Sequence, residues 1–312
     1  MGYSSAVEPE KVLVVSSGVH GVEGFFGSSV QLSLLEKWRD TTLPRTKCVF
    51  LHGLNPHGFA WCRRFDENNV DPNRNFLRTG ERFEGTPKIY AHLDPFLNPP
   101  RPPSRWEPFT LKALGLVAKH GMRALQQAVA SGQYDYPQGL FFGGKEPSRM
   151  QQFLEEHMPR FLKESRRVIH LDFHTGLGPS ASGKLLIDFP LSPLQRNWLT
   201  KWFGEDSFEG HDHHEISYNA KGGIGQWCVS RGLSDEYMFA CAEFGTYSPI
   251  QILAGLRAEN QTHHWCKQTD PVTKRTKERL RELFCPASEL WRSKVIERSH
   301  EVVDSAVEGI LD

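Results

Sequence analysis

The sequence has 312 residues, of which 38 % are apolar, and its 37 basic side chains balance its 37 acidic ones. No long block of one charge sign and no apolar run near the roughly 18 residues of a membrane span are present, so neither nucleic acid nor a membrane is expected as a partner. The first residues lack the pattern of a signal peptide, and the six cysteines form no C-x-x-C pair. We therefore expect a cytoplasmic protein without a disulfide framework that acts on a small molecule.

Strand and helix patterns alternate from the start of the chain. Residues 12–17 form a short β-branched run that enters a Gly-Val-His-Gly turn, and residues 25–40 have apolar positions at helical spacing. Residues 48–54 repeat the strand pattern and run into residues 55–58, which have the composition of a turn or loop. The polar motif residues thus follow the ends of predicted strands.

A proline-rich segment separates this part from the next strands. Six prolines in residues 94–108 predict a surface loop, and helical patterns follow at 109–131 and at 147–167, the latter with Ser148 as a candidate N-cap. We interpret residues 94–167 as a helical insertion.

Three further strands are predicted at residues 168–173, 184–189 and 237–244, and the chain is helical from residue 249 onwards. The helical part is interrupted near residues 269–271 and 285–286. Strands that alternate with helices predict a single α/β domain over residues 1–312 with a mostly parallel sheet. The C-terminal helices are interpreted as packing elements or as the contact surface of a homo-oligomer.

His20 and Glu23 form an H-x-x-E motif at a strand-to-helix junction, where both side chains can reach one ion. The spacing alone is a weak signal, but the carboxyl ends of strands are where sites form in open α/β sheets. A catalytic zinc takes three protein ligands, and His174, between a strand and a glycine turn, is the candidate for the third. Taken by itself, His174 would be interpreted as a histidine packed at the sheet edge.

Two more acidic residues lie on predicted strands. Asp172 shares a strand face with His174, so it either orients that histidine or contributes to a second metal site. Glu243 lies inside an apolar strand, where an unpaired carboxylate is costly. It is therefore either paired structurally or has a raised pKa and a role in proton transfer.

Arginines and amides are concentrated in the loop after the second strand, namely Arg63, Arg64 and the segment 69–76 with Asn73 and Arg74. A guanidinium can clamp a carboxylate or polarise a carbonyl. Exposed charges with Asx turns are the alternative, and spacing alone does not decide between them.

Five ordered blocks span most of the chain: VLVVSSGVHGVEGFFGS, NPHGFAWCRRFDENNVDPNRNF, YPQGLFFGG, LDFHTGLG and AEFGTYSP. Together they resemble the M14 metallocarboxypeptidase superfamily, and most closely its DUF2817 branch. The resemblance implies a zinc-carboxypeptidase-like fold, with a mixed, mostly parallel central sheet and helices on both faces. It also implies cleavage of an amide bond next to a free carboxylate.

The resemblance implies a role for each matching residue. His20, Glu23 and His174 are expected to bind one zinc ion, Glu243 to act as the general base, and Arg64 to face the scissile carbonyl, with Arg63 as the alternative. Further expected substrate contacts are Asn73 and Arg74 at the carboxylate and Tyr218, which lies 25 residues before Glu243. Relatives of this branch carry an additional N-terminal segment, so the start of this chain is expected to be shortened.

Two alternatives to a carboxypeptidase stay open. Only eight residues separate Arg64 from Asn73, a short loop that is closer to aspartoacylase-like deacylases, so the substrate is either a small peptide or an N-acyl amino acid. A non-catalytic metal- or ligand-binding protein on the same scaffold is the alternative from another class. The histidine cluster at residues 211–214 is interpreted as a solvated loop rather than a second metal site.

Overall fold

The computed structural model describes residues 10–41, 46–210 and 220–312. These ranges contain a sheet whose strands are β1 (Lys11–Ser17), β2 (Thr46–Leu51), β3 (Arg167–Thr175), β4 (Gly183–Leu186), β5 (Phe208–Glu209) and β6 (Glu236–Phe244). The strands lie in the order β2-β1-β3-β6-β4-β5, and β4 runs antiparallel to β6 while the other pairs are parallel.

Helices cover both faces of this sheet, which confirms the predicted α/β class with a mixed, mostly parallel sheet. The helices in the described ranges are α1 (Gly24–Lys37), α2 (Pro56–Ala60), α3 (Lys88–Leu97), α4 (Phe109–His120), α5 (Met122–Ala130), α6 (Arg149–Phe161), α7 (Pro193–Phe203), α8 (Ile224–Ser230), α9 (Pro249–Trp265), α10 (Pro271–Phe284) and α11 (Glu289–Leu311).

The central strands are apolar on both faces because helices cover both sides. In β1 the run from Val12 to Val15 is completely buried, and β3 is buried over all but its first residue. Near-continuous apolar runs of this kind are typical of parallel strands inside an α/β sheet. The strand patterns at residues 12–17, 168–173 and 237–244 are thereby confirmed as β1, β3 and β6.

The topology brings the motif residues to one edge of the sheet. His20 follows the carboxyl end of β1, while His174 and Glu243 are the last residues but one of β3 and β6 and stand opposite each other in the register. Because these three strands are adjacent and parallel, their carboxyl ends meet at the same edge.

Residues 55–58 were expected to form a turn or loop, and this prediction is wrong. They begin the short helix α2, in which the Asn55 side chain accepts a hydrogen bond from the Gly58 amide at 2.8 Å. Asn is a preferred N-cap residue and Pro56 suits the first helical position, so a turn-like composition here starts a helix.

The loop expected over residues 94–108 begins later than predicted. Helix α3 continues to Leu97 and contains Pro95 in its last turn. A proline there removes only one backbone hydrogen bond of a helix that is about to end, so the helix tolerates it. The helical patterns that follow are confirmed as α4, α5 and α6, and the Ser148 hydroxyl caps α6 by accepting the Gln151 amide at 3.3 Å.

No helix within residues 10–41, 46–210 and 220–312 combines the length and the apolarity that crossing a bilayer demands. Two sequence predictions, Tyr218 and the histidine cluster at residues 211–214, lie outside the described residues.

Candidate metal centre

Two histidines and a glutamate converge where β1 and β3 end. The Nδ1 atom of His20 lies 2.8 Å from one carboxylate oxygen of Glu23, and the Nδ1 atom of His174 lies 2.9 Å from the other. All three residues are buried, with exposures of 3 % or less. The structure thus brings together the three side chains that the sequence predicts as metal ligands.

The turn that carries the first two of these residues is a 3-10 helix, Gly21–Glu23, that leads directly into α1. Its backbone packs so closely against α2 that a Cβ atom on Gly21 would lie 2.0 Å from the carbonyl carbon of Gly58. The amides of Gly21 and Val22 donate to the carbonyls of Arg64 and Arg63 at 3.3 and 2.7 Å. The arginine loop therefore positions the H-x-x-E turn through its backbone.

The Nε2 atom of each histidine contacts a carboxylate. Asp71 contacts the Nε2 atom of His20 at 3.0 Å, and Asp172 contacts the Nε2 atom of His174 at 2.5 Å. Asp172 in turn accepts a hydrogen bond from Ser16 at 2.6 Å. With Nε2 bound to a carboxylate, each ring directs Nδ1 towards the centre, as expected for a metal-binding histidine.

Asp71 is a site residue that the sequence reasoning did not single out. It lies in the motif segment of residues 69–76, but Asp66 and Glu67 occupy the same loop, and spacing does not distinguish them. The useful signal is chemical, since a metal-bound histidine usually has a carboxylate partner for its other nitrogen.

The donor set fits a metal ion. The buried Nδ1 atom of His20 makes no hydrogen bond, although it faces the carboxylate of Glu23. The candidate ligand atoms of His20, Glu23 and His174 all lie within 4.8 Å of one another. Two histidines and one glutamate are the protein ligands of a common class of catalytic zinc site.

The charges at this centre are tightly coupled. Burial alone would raise the pKa of Glu23, but His20 and His174 outweigh it and lower that pKa. Burial likewise opposes the charge of His174, whereas the carboxylates of Asp172 and Glu23 hold its pKa well above the usual value. An arrangement of alternating charges in a buried site is favourable only while the partners stay together.

Glu243 borders the same centre from β6. One of its carboxylate oxygens accepts the Leu177 amide at 2.9 Å. Burial, reinforced by repulsion from Glu23, raises the pKa of Glu243 to about 8. A raised pKa makes the carboxylate of Glu243 a stronger proton acceptor than an exposed glutamate is.

Among the described residues a second group, His174, Cys241 and Glu243, also has ligand atoms close enough for a metal ion. Burial, followed by repulsion from Glu243, holds the pKa of the Cys241 thiol well above its usual value. Asp172 belongs to neither group.

Arg64, Asn73 and Arg74 line the cavity beside the three candidate ligands. The Arg64 guanidinium donates to Asp71 at 2.9 Å and to Glu23 at 3.3 Å. Arg74 is 2 % exposed and donates to the carbonyl of Ala130 at 2.7 Å. Arg64 therefore contacts a candidate ligand directly, whereas Arg74 borders the same cavity.

Arg63, the alternative to Arg64, points elsewhere. It is completely buried, donates to Glu259 at 3.0 Å and to Asn69 at 2.8 Å, and is not part of the cavity lining. Of the two neighbouring arginines, only Arg64 faces the centre.

The centre opens into a cavity of about 220 Å³. An apolar cavity of roughly 150 Å³ holds a molecule the size of benzene, so this space suits a small ligand. Besides the polar residues at the sheet edge, its walls come from α3, α4, α5 and α9, which contribute mainly apolar side chains.

Residues 3–298 match the DUF2817 family, whose description is a protein of unknown function. The chain therefore belongs to the DUF2817 family, as the five motif blocks predict. Among curated proteins no match is found.

Several solved structures are similar to this chain. A carboxypeptidase A from Helicoverpa armigera is 12 % identical over 88 % of this chain and 62 % of its own, with a TM-score of 0.44. A murein-tripeptide amidase from Escherichia coli O157 is 20 % identical over 89 % of this chain and 85 % of its own, with a TM-score of 0.38. A succinylglutamate desuccinylase from Chromobacterium violaceum is 14 % identical over 89 % of this chain and 62 % of its own, with a TM-score of 0.41.

The chain thus spans less than two thirds of the length of that carboxypeptidase and of that desuccinylase. Likeness at these identities and TM-scores carries no information about the activity of this chain.

Proposed function

We propose that the protein is a zinc-dependent hydrolase that cleaves an amide bond next to a free carboxylate. The observation that carries this proposal is the convergence of two histidine Nδ1 atoms on the Glu23 carboxylate, with Asp71 and Asp172 behind the two rings. In this proposal His20, Glu23 and His174 hold the metal.

When bound, zinc polarises the scissile carbonyl and acidifies a water molecule. The chain supplies the proton transfer. Glu243 takes the proton of the attacking water on its carboxylate and delivers it to the leaving amine. Its raised pKa and its position opposite His174 support this role.

The two cavity-lining arginines have separate tasks. Arg64 donates to the oxygen on which negative charge develops, and it is restrained for this by Asp71. Asn73 and Arg74 bind the carboxylate of the substrate, and Arg74 is held for this by the carbonyl of Ala130. The remaining expected contact, Tyr218, is a proposal from the motif resemblance alone.

A deacylase that releases an amino acid from a small N-acyl conjugate is the second candidate. It uses the same residues and differs in the shape of the pocket. The short loop from Arg64 to Asn73 and the cavity volume of about 220 Å³ both favour a small substrate of this kind.

The proposal is tested first by metal analysis of protein purified without a histidine tag. We expect one equivalent of zinc in the wild type and its loss in His20→Ala. A panel of dipeptides, longer peptides and N-acyl amino acids then assays hydrolysis and separates the two candidates.

Substitution of Glu243 by Gln is expected to leave zinc binding nearly intact and to reduce kcat by about 10²–10⁴-fold, the usual contribution of a general base. Glu236→Gln, at the opposite end of the same strand, is the matched control and is expected to keep wild-type turnover. Wild-type turnover in Glu243→Gln would contradict the assigned base. Bound zinc without hydrolysis of any panel compound would instead favour the non-catalytic binding protein.

A further inference from the structure

The cavity beside the candidate metal centre has two different ends. At the sheet edge it is lined by charged groups, among them Arg64 and Glu243, and Arg74 borders it where α5 ends. Away from that edge its walls are α3, α4 and α5, from the part of the chain that connects β2 with β3, and α9, which follows β6. The ring of Phe141 adjoins the polar end, with the guanidinium carbons of Arg64 and Arg74 at 5.3 and 5.9 Å from its centre.

Helices α4 and α5 turn apolar side chains towards this space. The larger side chains concerned are Leu116 and Val117 on α4, three and four residues after Ala113, which also lines the cavity, and Met122, Leu125 and Val129 on α5, so on each helix the lining residues form one face. Leu116, Val117, Met122 and Leu125 are only half-buried although they lie on the inner face.

Helix α3 also borders the cavity with Leu93, Phe96 and Leu97, spaced three and four residues apart, of which only Phe96 is half-buried, and α9 adds Leu253. An amphipathic helix usually buries its apolar stripe against a packed core. Here the half-buried side chains of α4 and α5, together with Phe96 of α3, border the cavity, so part of their apolar surface stays available to a ligand.

We propose that this apolar wall binds the acyl half of the substrate, and that the protein acts on N-acyl amino acids with an alkyl or aromatic acyl group. This inference rests on the proposed function, which assigns the substrate carboxylate to Asn73 and Arg74. Because that carboxylate belongs to the amine half, the half on the other side of the scissile bond remains for the wall of α3, α4 and α5.

The test measures binding rather than turnover. The zinc-loaded full-length Glu243→Gln protein is titrated calorimetrically with N-acetyl-, N-butyryl-, N-hexanoyl- and N-octanoylglycine. Since burial of one methylene is worth about 0.8 kcal/mol, Kd is expected to fall by up to about fourfold per added methylene until the wall is filled. An equal Kd across the series, or no binding, overturns the inference.

Helix α4 offers a matched pair of variants. Leu116→Asn in the cavity wall is expected to flatten the chain-length dependence of Kd, whereas Leu111→Asn, whose side chain is 72 % exposed on the same helix, is expected to leave it unchanged. Thermal unfolding of both variants verifies that the fold is retained. A steep chain-length dependence that survives Leu116→Asn and the equivalent Leu125→Asn would overturn the assignment of the wall.

A second series keeps the acetyl group and varies the amino acid from glycine to alanine, leucine and phenylalanine. A dependence on the amino acid combined with a flat acyl series would assign the wall to the amine half and overturn the inference. The proposed function can fail independently of this inference. If Kd depends on chain length but the wild type hydrolyses none of the compounds, the wall binds the acyl group and the protein is not the proposed hydrolase. If the wild type hydrolyses them but Kd is the same across the acyl series, the proposed function holds and the assignment of the wall is wrong.

Discussion

Two carboxylates, Asp71 and Asp172, orient the two histidines of the candidate centre. Asp71 contacts His20, Arg64 and the backbone of Asn73, so one side chain fixes a proposed ligand, a proposed oxyanion donor and the start of the substrate clamp. Burial would raise its pKa, but Arg64 and His20 hold that pKa well below the usual value. Asp71 therefore stays ionised and keeps Nδ1 of His20 directed at the centre.

We expect Asp71→Asn and Asp172→Asn to weaken zinc binding by about 10–100-fold each, the usual effect of removing a carboxylate behind a metal-bound histidine. The affinity is measured by competition with a chelator of known zinc affinity. Asp304→Asn removes a carboxylate from an exposed ion pair with Lys37 and serves as the control. An unchanged affinity in both centre variants would contradict the proposed role of these carboxylates.

The carboxyl of Asp66 is buried, so its ionised form destabilises the folded state. Its Oδ1 atom accepts the amides of Asn68 and Val70 at 2.9 and 2.8 Å. Burial outweighs these two bonds and raises the pKa of Asp66 from 3.8 to about 6. Between these pH values the unfolded chain has released this proton and the folded chain still binds it. This group therefore makes the free energy of unfolding fall as the pH rises from about 4 to about 6.

Asp66→Asn keeps the acceptor oxygen and removes the charge. We expect the metal-free variant to be more stable than the metal-free wild type at pH 7 by up to about 3 kcal/mol, and the difference to vanish near pH 4. Urea unfolding at several pH values measures it, and metal-free protein avoids the loss of zinc in acid. A stability difference that does not change with pH would contradict the assigned pKa.

At the scale of elements, the contact between the 3-10 turn after β1 and helix α2 determines where His20 and Glu23 lie. The approach of the two backbones leaves no room for a side chain at Gly21. The H-x-x-E motif therefore needs a glycine at position 21 to bring His20 and Glu23 into place. Packing against α2 imposes this requirement, not the chemistry of metal binding.

We expect Gly21→Ala to displace the turn, to lower the melting temperature and to abolish stoichiometric zinc binding, because the added Cβ would meet backbone atoms of Gly58 and Phe59 at 2.0 and 2.2 Å. The matched control is Gly115→Ala on α4, where nothing lies within 4 Å of the added Cβ. That change is expected to be neutral or stabilising by up to about 1 kcal/mol, since Ala favours helix. Normal zinc content in Gly21→Ala would contradict this reasoning.

Some elements could be predicted from the sequence and others could not. The strands β1, β3 and β6 and the helices α9, α10 and α11 have apolar periodicities long enough to outweigh local ambiguity. Helix α2 has five residues and begins with Pro56 after the N-cap Asn55, and α3 ends in a proline-rich segment, so composition indicates a loop in both places. In these two cases capping and packing decided the conformation, and composition alone was misleading.

At the scale of the whole molecule, a buried ion network ties the site loop to the C-terminal helices. Arg63, in the loop between α2 and the 3-10 turn Pro72–Arg74, pairs with Glu259 of α9, and Lys277 of α10 contacts the same carboxylate. The side chains of Arg63 and Glu259 are completely inaccessible to solvent. Burial opposes the charge of Glu259, but Arg63 and Lys277 outweigh it and lower the Glu259 pKa.

We expect Glu259→Gln to reduce the free energy of unfolding by about 3–5 kcal/mol, because it leaves the charge of Arg63 buried without its partner. KM for substrates that the folded, zinc-loaded fraction still hydrolyses is expected to stay unchanged, since neither residue lines the cavity. Glu36→Gln removes an exposed pair with Arg39 and is expected to cost less than about 1 kcal/mol. Urea unfolding measures the free energy of unfolding of both variants. An equal decrease in Glu259→Gln and Glu36→Gln would contradict the structural role of the buried ion pair.

The sequence by itself determined the α/β class, the family and the candidate ligands His20, Glu23 and His174, because apolar periodicity and motif residues are local properties. It could not choose between Arg63 and Arg64 or single out Asp71, since neighbouring residues of one type differ only in what the fold puts around them. The apolar cavity wall was likewise decided by tertiary structure alone. A face at helical spacing looks the same in sequence whether it packs against a core or borders a cavity, and only the arrangement of α3, α4 and α5 around the sheet edge determines which.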